Sequence, residues 1–449
     1  MVAVASSIVE RSCPAPVGDA RFQAVSRVIE RLETAGFATY LVGGCVRDMA
    51  IGRSAKDFDV ATAATPEEIE ALFAKTISVG KAFGVMQVAS QGSYFEVATF
   101  RKDLEYQDGR RPEGVTFCGA EEDVHRRDFR VNGLLYDVRR AVIVDYVEGL
   151  VDLDAGLIQA IGDPSERFQE DHLRLLRALR FSVQLGFRID PGTWASICAH
   201  SDSLKKISRE RVRDELIKML ESPAPSMAFE MLAKSGCLPH VLPAKLFQSG
   251  DFALDQVQHR IEDLCDLELQ NRALTLLSAV LCELVTSSTC DWNDLYESDG
   301  SRKGFAHHLR DLEDCVSQLR LSRSEEHSLM GAIAVAAFLV HNCDDAHPDH
   351  VWLRLARWPG ATDGFALARL LSDSENVSII SKRFGLLDEN EHSPKQLLNG
   401  QDLQTLEIVP GPIFKEILRA VEDAQLDGVI SDRKEALELA QELAARTTF

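Results

Sequence analysis

No excess of positive charge runs through this 449-residue sequence, whose net charge is −21 at pH 7. That balance argues against a general nucleic-acid binder, because phosphate affinity comes mostly from lysine and arginine. The deficit is uneven: residues 1–222 carry 29 basic and 34 acidic side chains (net −5), whereas residues 223–449 carry 20 and 36 (net −16). Any RNA-facing surface is therefore expected in the first half, with the acidic second half mostly solvated. Long apolar runs are missing too. The longest, Ala332 to Val340, is too short to span a bilayer, and the opening MVAVASSIVERSC lacks the basic n-region and apolar stretch of a secretory signal. The ten cysteines form no CxxC pair and no zinc spacing, which fits reduced thiols in a cytoplasmic protein better than a disulfide framework. The polar run His341 to His350, HNCDDAHPDH, matches no zinc or calcium pattern and reads as an inter-helix loop. Nothing calls for a membrane or an obligate protein partner. What is present is a globular chain with 45% hydrophobic residues and length for about three domains.

One stretch organises the rest: Leu41 to Thr62, LVGGCVRDMAIGRSAKDFDVAT. A strand, Tyr40 to Val42, feeds Gly43 and Gly44, whose missing side chains let backbone N–H groups approach a bulky anion, and Arg47 adds a fixed positive charge. Ten residues on, Asp57 to Val60 reads as a strand that sets Asp57 and Asp59 on one face and Phe58 and Val60 in the core. Two hard carboxylates on one face suit Mg²⁺. Each half alone is a weak signal, but the ordered combination is specific.

Around it the periodicity predicts a helix over Arg21 to Ala35 behind a loose tail, a capped helix start at Thr65 and Pro66, and β-runs over Val85 to Ala89 and Tyr94 to Phe100. In the last run Glu96 is either a third carboxylate near the metals or an edge-strand charge. A long polar loop follows, carrying Gly109, Arg110, Arg111 and Pro112. Glu121 to Asp137 has a helical pattern interrupted by Gly133, with Arg127 and Asp128 at its centre. Ile143 to Tyr146 and Leu157 to Ile161 read as strands, bracketing a glycine-bounded turn that holds Asp152 and Asp154. Asp163, Pro164 and Ser165 start a helix on which Arg174, Arg177 and Arg180 make one basic stripe; a salt-bridged surface helix is the alternative, but three arginines on one face beside a phosphate cradle favour nucleotide binding. Ile207 to Leu220 is a second amphipathic helix, and successive helices follow.

The segments LVGGCVRD, KDFDVAT, RRDFRVNGLLYD (Arg126 to Asp137) and EDHLRLLRALRF (Glu170 to Phe181) together resemble the class II tRNA nucleotidyltransferases, the CCA-adding enzymes, and the related bacterial poly(A) polymerases. The resemblance covers roughly residues 25–240. It implies an α/β polymerase-β-like nucleotidyltransferase head followed by an all-α neck and body. The expected boundaries are a tail over 1–22, the head over 23–162, the neck over 163–240 and an acidic helical body over 241–449. The implied activity is template-independent, Mg²⁺-dependent addition of CMP and AMP from CTP and ATP to a tRNA 3′ end. By this resemblance Asp57 and Asp59 hold the metal, and Gly44, Arg47, Arg127, Asp128, Arg177 and Arg180 hold triphosphate and ribose. Asp171 and Arg174 choose the base, and Arg110 and Arg111 lie in the flexible loop needed for switching to AMP. The spacing of Val79, Gly80, Lys81, Phe83, Gly84 and Val85, with the DxxYxDGRRP loop, resembles tRNA-type enzymes more than poly(A) polymerases, which implies CCA addition. An A-only enzyme, a poly(A) polymerase and an inactive RNA-binding relative stay open as alternatives. Leu274 to Val285 lacks the His-Asp pair that an appended phosphohydrolase domain would need.

Overall fold

The computed structural model describes residues 8–104, 114–247, 253–267, 269, 271–282, 310–343, 347–385, 387, 393–406 and 408–447, and it divides into two units, 1–241 and 242–449. The first unit is built on an eight-stranded mixed sheet in the order β1 (Val9–Ser12), β10 (Val142–Asp145), β9 (Leu135–Asp137), β2 (Thr39–Val42), β3 (Asp59–Thr62), β6 (Ser93–Thr99), β5 (Val85–Ser90), β4 (Thr76–Gly80). Only β3 and β6 pair in parallel; the other neighbours are antiparallel. A two-stranded ribbon of β7 (Arg101–Asp103) and β8 (Val115–Phe117) stands at the base of the long loop.

Helix α1 (Ala20–Thr34) starts where the Asp19 carboxylate accepts from the N–H groups of Arg21 and Phe22, and it buries Val25, Val28, Ile29 and Leu32 at helical spacing. It lies against β5 and β6, whose Met86, Val88, Phe95 and Val97 are fully buried. Helix α2 (Gly44–Ala50) follows β2, and α3 (Pro66–Leu72) opens with the expected proline and a capping box between Thr65 and Glu68. Part of the other sheet face is closed by Val42, Ala61, Leu135 and Val144 packed with Phe100, Val124, Val147 and Ile161.

Four local expectations are corrected. Val9–Ser12, expected as loose tail, pairs with β10, stapled by Arg11 to Asp154 and Arg140 to Glu10. Strand β3 begins at Asp59, so Asp57 precedes it. Glu121 to Asp137 is not one helix: α4 (Ala120–His125) ends early and Leu135 and Tyr136 enter the sheet, because their buried positions need ladder partners on both sides. The supposed turn around Asp152 and Asp154 is helix α5 (Gly149–Ala155), which Gly149 permits: a Cβ there would stand 2.2 Å from the Arg130 carbonyl oxygen.

After the two-residue strand β11 (Leu157–Ile158), paired with β12 (Arg188–Ile189), the chain turns helical. Helix α6 (Pro164–Glu170) is capped by Asp163 and ends at Asp171; α7 (Arg174–Leu185) begins three residues later, so the neck motif is two helices with a break between them. Helices α8 (Pro191–His200), α9 (Arg209–Leu220), α10 (Pro225–Lys234) and the short α11 (Leu238–Val241) complete the unit, with α9 and α10 packed on α7.

The second unit is helical among its described residues. Its centre is the helix Arg323–Asn342, which absorbs the apolar run Ala332 to Val340. The helix Ala361–Leu371 crosses it so closely that a Cβ on Gly364 would lie 2.6 Å from the Ala332 carbonyl oxygen. A separate cluster of Leu398, Leu403, Ile417, Val421, Ile430, Ala436 and Ala440 closes the C-terminal helices. No described helix is long and apolar enough to cross a membrane.

Candidate functional site

The site starts where β2 stops. Val42 is paired with Asp59, and Gly43 then takes φ 76°, a left-handed turn that a side chain would strain, to launch α2. The adjacent Cys45 donates to the Val42 carbonyl at 3.2 Å, and burial pushes its thiol up to about 12. It is a packing residue, not a nucleophile.

On the other side of Asp59, the parallel register that joins Val60 to Val97 sets Glu96 beside it. Burial of its carboxyl, followed by the nearby charges of Glu96 and Asp57, raises the Asp59 pKa to about 6 against the pull of Arg127. Such crowding of hard oxygen donors fits a divalent cation, and Asp59, Glu96 and Asp57 are the residues that fit one. Among the described residues no group of three or more ligand side chains is gathered ready for a metal. Asp57 is engaged elsewhere: its Oδ1 accepts from Arg21 Nη2 at 3.0 Å while Arg21 Nη1 donates to the Lys56 carbonyl at 2.7 Å.

Arg127 faces the glycine turn, its Nη1 being 3.7 Å from where a Gly43 Cβ would stand. It is aimed by Asp123, a fully buried carboxylate shared with Arg126 at 2.9 and 2.7 Å. Burial opposes ionisation of Asp123, but the two guanidiniums outweigh it and hold its pKa below the ordinary range. Gly44 stands at the first turn of α2, and Arg47, on the same helix, is buried. Arg47 donates to Asp48 and, through Nη1, to the Asn132 amide oxygen at 2.9 Å. Asn132 in turn donates to Asp128 Oδ1 at 3.2 Å, and Asp128 Oδ2 takes Nε and Nη2 of Arg177 at 2.8 and 2.6 Å. The result is one polar relay from the glycine turn to α7. Phe181 gathers it: the guanidinium carbons of Arg47, Arg177 and Arg180 lie 5.3, 5.2 and 4.0 Å from its ring centroid.

The basic stripe on α7 is thus largely engaged by carboxylates. Arg180 Nε meets buried Glu215 on α9 at 2.5 Å. Arg174 pairs with Glu170 and also donates to the carbonyls of Arg167 and Arg126 at 2.9 and 3.0 Å. Asp171, at the break between α6 and α7, is held by Arg211 through both oxygens at 3.2 and 2.8 Å. Asp171 and Arg174 therefore stand on adjacent turns, each fixed by a different neighbour. Arg110 and Arg111 lie outside the described residues. Sequence reasoning missed Arg21, Asp123, Phe181, Arg211 as the holder of Asp171, and Glu215. Of these, Phe181 carried a signal, since it sits one position past Arg180 and four past Arg177 on one helix.

Residues 39–159 match the family model of the poly A polymerase head domain, and residues 186–246 match that of the probable RNA and SrmB-binding site of polymerase A. A CCA-adding enzyme of Levilactobacillus brevis is 31% identical over 424 residues, 93% of this chain and 96% of the relative. One of Lactobacillus gasseri is 44% identical over 418 residues, again 93% and 96%. Among solved structures, the Bacillus stearothermophilus CCA-adding enzyme in complex with CTP is similar with a TM-score of 0.68 at 25% identity, covering 95% of this chain and 99% of the other. A Thermotoga maritima CCA-adding enzyme complexed with tRNA shares the fold, with a TM-score of 0.65 at 19% identity, covering 98% of this chain and 99% of the other.

Proposed function

The chain belongs to the CCA-adding enzyme family of nucleotidyltransferases, and from that premise we propose that it adds CMP and AMP, without a nucleic-acid template, to the 3′ end of tRNA. The observation that supports the reading is the placing of Asp59 beside Glu96, within reach of the Asp57 charge, next to the Gly43–Gly44 turn that Arg127 faces. In the reaction the RNA 3′-oxygen forms a bond to the α-phosphorus of CTP or ATP as the bond to pyrophosphate breaks. Gly44, Arg47 and Arg127 hold the triphosphate, while Asp128, Arg177 and Arg180 orient the ribose. This family works with a divalent metal; Mg²⁺ held by Asp57 and Asp59, with Glu96 beside them, would supply charge stabilisation at the phosphoryl oxygens and ease loss of the hydroxyl proton.

Base choice falls to Asp171 and Arg174. Cytosine and adenine each present an amino donor beside a ring-nitrogen acceptor, matching a carboxylate next to a guanidinium. Uracil and guanine reverse the pattern and leave buried groups unpaired, which costs about 1–3 kcal/mol for each. The rigid anchoring of both side chains, by Arg211 and by Glu170, supports a fixed protein template. We place the enzyme in the cytoplasm, with its tRNA substrate, and take 23–162 and 163–240 as the head and neck that form the site. Incubation with labelled CTP or ATP, Mg²⁺ and tRNA lacking CCA tests the reading; no incorporation from either nucleotide would refute it.

A further inference from the structure

The sheet face that carries Asp59 and Glu96 is only half covered. Beyond β3 it continues over β6, β5 and β4, where Glu96, Tyr94 and Ile77 are exposed and Gln87 and Ala89 half-buried among the described residues, while the opposite face of the same strands buries Phe95, Val97, Met86 and Val88. The register reads this face row by row. Asp59 and Glu96 continue into Gln87, paired with Glu96, and Ile77, paired with Gln87. One two-residue step along, Tyr94 is paired with Ala89, whose N–H donates to the Lys75 carbonyl at 3.1 Å. Side chains two apart share a face, so Tyr94 stands on the carboxylate side, about 7 Å along the strand from Glu96.

Tyr94 is 40% exposed and Ile77 45%, an unusual showing of apolar area next to a reaction centre. The cross-strand partner of Tyr94 is the small Ala89, and Lys75 Nζ lies over the ring, 5.3 Å from its centroid. An aromatic ring with a cation over one face and the rest of it exposed is a pairing that sequence-tolerant single-strand sites use: a ring for the base and a charge for the phosphate. Tolerance is what the proposed reaction demands, because each addition changes the terminal base. A pocket that read that base by hydrogen bonds would reject the end it had just made; a stacking surface accepts it.

We propose that this open face is a subsite for the unpaired 3′ segment of the RNA, with Tyr94 stacking on a base just upstream of the reacting hydroxyl and Lys75 meeting its phosphate. The proposal rests on the nucleotide-addition reading and extends it to the primer strand. Its test is steady-state kinetics of the full chain on tRNA lacking CCA, together with binding of a fluorescent acceptor-stem RNA in the absence of CTP. Loss of one stacked base costs about 1–3 kcal/mol, so Tyr94→Ala should raise the KM for RNA and weaken RNA binding about five- to 150-fold. The KM for CTP should stay within about twofold of wild type. Tyr94→Phe should keep near-wild-type values, and Lys75→Ala should lower the salt slope of RNA binding by about one. Wild-type RNA affinity in Tyr94→Ala, or equal losses in Tyr94→Ala and Tyr94→Phe, would overturn the subsite. If wild type binds RNA but adds nothing, the function falls, and the binding comparison alone still decides the subsite.

Discussion

Asp128 and Arg177 meet through a forked contact in which one carboxylate oxygen accepts from both Nε and Nη2 of the guanidinium, at 2.8 and 2.6 Å. Burial works against the Asp128 charge, yet Arg177 outweighs it and draws the pKa down to about 2. The other oxygen accepts from the Phe129 N–H and the Asn132 amide. A carboxylate so fully engaged ties α7 to Asn132, which accepts from Arg47 on the helix that follows the glycine turn.

Asp128→Ala should therefore cost both stability and nucleotide affinity. Charged hydrogen bonds of this kind contribute about 1.5–3 kcal/mol, and Arg177 is one-third exposed, so the lower end is expected. Denaturant titration should show that loss together with a raised KM for CTP and ATP alike. A KM change for only one nucleotide would contradict the shared role.

Asp57→Asn and Asp59→Asn should each abolish incorporation while leaving the melting temperature at or above the wild-type value, because the folded state crowds these carboxylates without packing them into a core. Chelation of divalent ions should silence the wild type, and Mg²⁺ should restore it. Residual activity near wild type in either variant would remove that residue from the metal site.

Asp171→Ala or Arg174→Ala should relax base choice. Incorporation of UTP and GTP relative to CTP should rise about tenfold or more, since each loss removes one discriminating hydrogen-bond group. Competition assays with mixed nucleotides measure it. A uniform fall for all four, with selectivity retained, would move base reading elsewhere.

Asp152 gives a pH prediction with a definite sign. It is 3% exposed, its Oδ2 has no hydrogen-bond partner, and burial raises its pKa from 3.8 to about 6. The folded state thus holds the proton more tightly than the unfolded one. The charged side chain penalises the fold fully above pH 6, and the penalty fades as pH falls from 6 toward 4. Asp152→Asn should stabilise the protein by on the order of 2–3 kcal/mol at pH 7.5, with the gain shrinking at pH 5. An equal gain at both pH values would show that charge is not the cause.

The parts of the site that lie within one local motif were legible in the sequence: the glycine turn after β2, Asp59 at the head of β3, and the arginine spacing on α7. Local patterns failed where a distant partner decides the outcome. VERS is a four-residue edge strand made by pairing with β10, and no periodicity announces it. Asp57 was placed on a strand because DFDV alternates, but Arg21, 36 residues away, holds it ahead of β3. The α7 arginines advertise charge; that Glu170, Asp128 and Glu215 already engage them is a fact of packing between helices. Glycines bounding α5 resemble turn punctuation, and only the approach of the Arg130 carbonyl shows why Gly149 is needed there.

The most direct test of the function is product analysis, at single-nucleotide resolution, of a tRNA ending just before CCA, incubated with the full chain, CTP, ATP and Mg²⁺. The account predicts three additions, C, C and A, followed by a stop, and no extension of an unrelated RNA. A long A tract on that unrelated RNA, or failure to use CTP, would contradict it in favour of poly(A) or A-only addition respectively.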